Sequence, residues 1–151
     1  VRTAIFVSGC CFHCKGCFNR EAWSYDNGVD FSDALKEKVL KSIEPEYIEG
    51  LSILGGEPLD PLNCKEVLCF IKEFRKKFGN SKDIWLYTGY KLEDALKNDV
   101  RREIIKNCDY IVDGLFELDK ADTKLAFRGS SNQNIYHNKN GNFEIVNLDQ
   151  A

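Results

Sequence analysis

The stretch RTAIFVSG, Arg2 to Gly9, is a short β-branched and aromatic run stopped by glycine, a pattern that predicts a buried strand. After a polar passage comes FSDALKEKVLKSI, in which Ser32 stands as an N-cap and Ala34, Leu35, Val39, Leu40 and Ile43 recur at helical spacing. GLSILGGEP reads as a second strand closed by two glycines and a proline. From Asn63 to Phe78 the apolar stripe Val67, Leu68, Phe70, Ile71 and Phe74 predicts a second helix, with Lys and Arg crowding its last turn as the helix dipole favours. DIWLYTGY is strand three. Helical periodicity then runs from Leu92 to Ile105, broken near Asn98 and Asp99, and CDYIVDG is strand four.

Strands alternating with helices imply parallel pairing through right-handed crossovers, with helices covering the sheet. From Leu115 the pattern dissolves into polar, turn-rich sequence, in which NKNG predicts a hairpin between Ile135 to His137 and Phe143 to Val146. The fold expected is α/β: an open partial (β/α) barrel of about four to five units, parallel strands with outer helices. It is shorter than a full eight-unit barrel of roughly 250 residues. A single domain spans 1–151, with no repeat and no linker. The chain opens on Val1, and further N-terminal residues are expected before it.

Composition narrows the function by exclusion. A formal charge of -3 gives no reason to expect nucleic acid or a membrane as partner. No stretch reaches the roughly 20 apolar residues of a membrane span. Seven cysteines is an odd number, and four of them crowd into SGCCFHCKGCFN, unlike a disulfide framework spread through a small secreted fold. A reducing cytoplasm is the expected location.

In parallel α/β folds active sites gather at the carboxyl ends of the strands. Strand one ends in the cysteine cluster, strand two in Gly55, Gly56, Glu57 and Pro58, strand three in Thr88, Gly89 and Tyr90, and strand four in Asp113 and Gly114. All four ends should share one rim. Cys10, Cys14 and Cys17 form C-x3-C-x2-C, with Cys11 and His13 inside the first gap. Structural zinc takes four ligands, commonly as two separated pairs, and no second C-x2-C pair follows. Cys64, Cys69 and Cys108 read as buried, inert thiols. A cubane iron-sulfur cluster on three cysteines keeps one iron open for a ligand, so the spacing favours it. Zinc completed by Cys11 or His13, in a non-catalytic interaction module, is the alternative. In GGEP two glycines let a ligand approach the backbone beside the Glu57 carboxylate. His137, alone in a polar tail, is assigned no role. Arg128 of RGSSNQ reads as the one cation near the rim, suited to a cofactor carboxylate or a partner surface.

C-x3-C-x2-C after the first strand, followed by GGEP ending the second, resembles the radical S-adenosylmethionine enzymes. CKGCFN, GGEPL, DIWLYTGY, DYIVDGLFE and RGSSNQ, in that order and nearly end to end, resemble the branch that activates anaerobic ribonucleotide reductase. That resemblance implies a 4Fe-4S cluster on Cys10, Cys14 and Cys17, with its fourth iron chelated by the amino and carboxylate groups of S-adenosylmethionine. Cys11 is not carried over. GGEP would receive the cofactor's ammonium through backbone carbonyls and Glu57, and Gly16 and Phe18 would flank its adenine end. Thr88 and Asp113 are further candidates for its polar groups. An aromatic often precedes the last cysteine in the superfamily; here Gly16 does, so Phe18 would supply the ring.

The implied chemistry is reductive cleavage of S-adenosylmethionine and abstraction of hydrogen from a glycine of the reductase, with a one-electron donor such as a flavodoxin. Activation of pyruvate formate-lyase or another glycyl-radical enzyme is the alternative within the family.

Overall fold

The computed structural model describes residues 1–7, 31–122, 124–125, 128 and 130–146. In chain order the elements are β1 (Thr3–Val7), α1 (Asp33–Ile43), β2 (Gly50–Gly55), α2 (Cys64–Phe78), β3 (Asp83–Tyr87), α3 (Leu92–Ala95), α4 (Asp99–Lys106), β4 (Tyr110–Asp113), β5 (Asn134–Lys139) and β6 (Asn142–Val146), with a short 3-10 turn at Leu118–Lys120. The Ser32 hydroxyl accepts from the Leu35 amide at 3.2 Å and so starts α1. Asn98 does the same for α4, accepting from the Arg101 amide at 3.0 Å. That cap is why the helical periodicity after Leu92 divides into two helices.

The six strands form one sheet in chain order, β1-β2-β3-β4-β5-β6. The first four are mutually parallel, and β5 and β6 run antiparallel. The hairpin is where the sequence places it. Asn140 and Gly141, with φ of 53° and 93°, supply the two positive dihedrals that a tight two-residue turn requires. The sheet is therefore mixed: β5 adds antiparallel to β4 from Tyr110↔His137 to Asp113↔Asn134. The addition pairs backbone groups that β4 would otherwise present as a bare edge. β4 also begins at Tyr110, so Cys108 precedes the strand instead of opening it.

All four helices send their apolar stripes to one face of the sheet. Ile43 of α1, Phe70, Ile71 and Phe74 of α2, Ala95 of α3, and Ile104 and Ile105 of α4 pack with Leu51, Ile53, Ile84, Leu86 and Ile111 of the strands. Each fully buried Leu, Ile or Phe contributes about 1.5–3 kcal/mol, so this layer dominates the stability. The opposite face carries a smaller cluster drawn from strands, in which Trp85, Val112 and Ile135 are buried. There Tyr110 stacks between Trp85 at 4.4 Å and His137 at 4.6 Å. Arg2 ties three strands on this face. It donates to the Ser52 hydroxyl and the Leu51 carbonyl and pairs with Asp83 at 2.5 Å. The two side chains of this pair are 20% and 35% exposed. Among the described residues no helix is long and apolar enough to cross a membrane.

Candidate functional site

Because β1 to β4 are parallel, their carboxyl ends lie along one edge of the sheet. The Gly56 amide donates to the Val7 carbonyl at 2.7 Å, continuing the β1–β2 register one residue beyond Val7↔Gly55. The chain therefore enters the cysteine segment beside the GGEP turn. Cys10, Cys11, His13, Cys14, Gly16, Cys17 and Phe18 themselves lie outside the described residues.

Gly55 has φ of 116°, and a Cβ there would fall 2.4 Å from the Val7 nitrogen and 2.5 Å from its oxygen. The need for glycine at this position is thus explained by the neighbouring strand.

Glu57 is almost completely buried, at 1% exposure. One carboxylate oxygen accepts from the Leu59 amide at 2.9 Å and the Thr88 hydroxyl at 2.6 Å, and the other accepts from the Gly89 amide at 2.7 Å. The sequence expectation offers this carboxylate and the Thr88 hydroxyl to a ligand. In the structure they join the turn after β2 to the turn after β3. The Tyr90 amide closes a further bond to the Thr88 hydroxyl at 3.2 Å.

Asp113 acts similarly one strand further along. Its carboxylate accepts from the Leu92 amide at 2.8 Å, at the start of α3, and from the Asn134 amide at 3.4 Å, at the start of β5. Burial raises its pKa, and those two amides pull the other way.

RGSSNQ closes the far side of the rim. The Arg128 guanidinium donates to the Gln133 carbonyl at 2.9 Å, within its own loop. Contact with the segment after β4 is made by the polar residues that follow. The Gln133 amide group donates to the Gly114 carbonyl, the Asn132 amide group donates to the Leu115 carbonyl, and the buried Ser130 hydroxyl accepts from the Glu117 amide.

Nor is Arg128 alone as a rim cation. Arg101 of α4 donates to the Leu59 carbonyl at 2.8 Å and to the Tyr90 hydroxyl at 2.9 Å, with its guanidinium 4.1 Å from the Tyr90 ring centre. A signal for it was present in the sequence: Arg101 stands in the first turn of a helix, where the dipole disfavours a cation, so it needs partners elsewhere.

Among the described residues no three His, Cys, Asp or Glu side chains converge as metal ligands. Cys64 and Cys108 are buried as expected, but Cys69 is exposed, because it lies off the apolar stripe of α2. Burial pushes the Cys108 thiol strongly up, and it donates to the Ile104 carbonyl, so it is no thiolate. His137 lies beside the first residue of β4, at the end of the sheet away from the rim.

Burial also pushes Glu57 up from 4.5 to about 7, outweighing the donors from Thr88, Gly89 and Leu59, with Asp60 adding to the rise. A folded pKa above the unfolded one means that the folded chain holds more protons between these values. The corresponding stability is present in full below about 4.5 and is lost as pH rises through 7, a swing on the order of 3 kcal/mol. Urea unfolding of cluster-loaded protein under argon, from pH 6 to 8, should therefore show wild type losing stability relative to Glu57→Gln as pH rises. Parallel pH profiles would contradict this titration.

The chain matches the family model of the 4Fe-4S single cluster domain over residues 1–136. It is 39% identical over 137 residues to the anaerobic ribonucleoside-triphosphate reductase-activating protein of Pasteurella multocida, covering 89% of this chain and 86% of that one. The protein of the same name from Haemophilus influenzae is 39% identical over 140 residues, 91% of this chain and 88% of its own. That of Enterobacteria phage T4 is 38% identical over 140 residues, 93% and 86% of the two chains. No solved structure matches. Identity at this level along nearly the whole of each relative, together with the iron-sulfur domain match, shows that the chain belongs to the anaerobic ribonucleoside-triphosphate reductase-activating proteins, radical S-adenosylmethionine enzymes with a 4Fe-4S cluster.

Proposed function

We propose that this chain activates an anaerobic ribonucleoside-triphosphate reductase by generating a glycyl radical on it, using a cluster held by Cys10, Cys14 and Cys17 and S-adenosylmethionine bound along the adjoining rim. The observation that carries this reading is the Gly56 to Val7 hydrogen bond, which brings the entry to the cysteine loop and the GGEP turn to one edge. The donor set fits the group: three thiolates in C-x3-C-x2-C suit a cubane with one open iron. The family match is to an iron-sulfur domain, which removes the zinc-module alternative. The relatives named above activate ribonucleotide reductase, which favours that target over pyruvate formate-lyase.

When bound, the cluster and cofactor supply one-electron cleavage of the sulfonium and hydrogen abstraction. The chain's own part is binding, orientation and exclusion of water. Backbone groups of Gly55 and Gly56 receive the cofactor's amino end, Gly16 and Phe18 its adenine end, and Arg128 its carboxylate or the partner surface. Thr88 and Asp113 serve the site through the rim hydrogen bonds they make. Consecutive parallel strands with helices on one face support the further reading that the sheet is the wall of an open partial barrel, its free face admitting a protein loop. The reaction calls for a one-electron donor such as a flavodoxin, and the proposed setting is the cytoplasm.

Reduced, cluster-loaded protein with S-adenosylmethionine should produce a glycyl-radical signal in electron paramagnetic resonance on the anaerobic ribonucleotide reductase, with 5′-deoxyadenosine formed alongside. Pyruvate formate-lyase should give none. A radical on the lyase alone would move the assignment of the target, and cofactor cleavage with neither partner would remove it.

A further inference from the structure

The Leu59 peptide is gripped at both ends. Its N–H donates to the Glu57 carboxylate and its carbonyl accepts from the Arg101 guanidinium. The same two side chains also hold the turn after β3, Glu57 through the Thr88 hydroxyl and the Gly89 amide, Arg101 through the ring and hydroxyl of Tyr90. Two side chains from different elements, Glu57 from β2's turn and Arg101 from α4, therefore lock the same pair of rim turns together. At 1% exposure, and with three donors in place, the Glu57 carboxylate faces its own chain and offers nothing to a ligand in the rim.

We propose that Glu57 and Arg101 are positioning residues for S-adenosylmethionine: they touch no part of it, and they hold the Gly55–Gly56 turn and the Thr88–Tyr90 turn in the relative placement that binding requires. This rests on the functional reading above and deepens it. A backbone that binds a ligand's amino group through carbonyls must already point the right way, because ordering it on binding subtracts from affinity. Three hydrogen bonds converge on the buried Glu57 carboxyl group, so it is a firm tie between turns 31 residues apart. Arg101 combines a planar fork with ring stacking, which a lysine ammonium reproduces poorly.

The test uses reconstituted, cluster-loaded protein and the variants Glu57→Gln, Thr88→Val and Arg101→Lys. Cofactor affinity is read from the change in the electron paramagnetic resonance spectrum of the reduced cluster on titration with S-adenosylmethionine. Expected are wild-type iron content and a loss of affinity of about 10-fold in Glu57→Gln and in Arg101→Lys. Thr88→Val should share the loss, since it removes a tie between the turns and leaves the Glu57 carboxyl group in place. The Glu57→Gln/Thr88→Val double variant should bind no worse than the weaker of its two single variants, since both remove one tie.

A loss confined to Glu57→Gln, with wild-type affinity in folded Thr88→Val and Arg101→Lys, would make Glu57 a direct ligand of the amino group and overturn the proposal. Wild-type affinity in folded Glu57→Gln and Arg101→Lys would do so as well. Should Glu57→Gln fail to fold, Thr88→Val and Arg101→Lys carry the same comparison. A wild-type cluster whose spectrum ignores S-adenosylmethionine would instead overturn the functional reading, and this proposal with it.

Discussion

Serine at Cys10, at Cys14 or at Cys17 is expected to leave the chain colourless after anaerobic reconstitution, falling from about four irons to less than one, while serine at Cys11 keeps the full content. In the proposed assignment these three thiolates are the cluster's protein ligands, so losing any one leaves too few to hold it. A serine hydroxyl stays protonated where a cysteine is readily ionised, so the exchange removes a ligand and leaves the volume nearly unchanged. Rescue by the two buried thiols of the described fold is blocked. Cys64 and Cys108 are sealed in the helix-covered core, and Cys108 is held neutral by burial. Iron and sulfide analysis beside the visible absorption spectrum reads the outcome. Loss of the cluster with serine at Cys11, combined with retention at Cys14, would reassign the ligands and with them the C-x3-C-x2-C reading.

Periodicity made the four parallel strands, the helices and the hairpin legible, because each is a local pattern: two-residue or 3.6-residue spacing bounded by breakers. The division between α3 and α4 was legible for the same reason, since Asn98 is a capping residue inside an otherwise continuous stripe. Attachment of the hairpin to β4 was not. It depends on pairing between Tyr110 and His137 across a polar connection that has no period of its own.

The rim shows the same division. Gly55, Glu57, Thr88 and Asp113 could be placed together from strand order, and in the structure they lie along one edge. Their hydrogen bonds run from turn to turn, joining Glu57 to Thr88 and Asp113 to Leu92 and Asn134, and such partners cannot be read from neighbours in sequence. RGSSNQ attracts attention for its cation, yet Ser130, Asn132 and Gln133 also bind the segment after β4. Cys69 was misplaced because a general tendency of free cysteines to be buried was applied to a position outside the apolar stripe of its helix.

Gly55→Ala should destabilise the protein by roughly 3 kcal/mol or more and lower its melting temperature by about 10 °C, with cluster loading falling in parallel. Two effects act at this residue, and a second glycine separates them. Gly55 sits at φ of 116°, which L side chains rarely adopt, and its added Cβ would meet the nitrogen and oxygen of Val7 at 2.4 and 2.5 Å. Those are backbone atoms of a paired strand and cannot swing aside as a flexible side chain would. Gly79 also has a positive φ, 57°, but a Cβ there meets nothing within 4 Å. Gly79→Ala should therefore cost only the conformational part, about 1 kcal/mol. The excess at Gly55 measures how closely β2 packs against the end of β1. Since Val7 leads directly toward the cysteine loop, pushing β1 away also disturbs the approach to Cys10, and iron content should drop with stability. Thermal melts and iron analysis of both variants decide the matter: equal losses at Gly55 and Gly79, or a full cluster in a destabilised Gly55→Ala, would separate the β1–β2 contact from the assembly of the metal site.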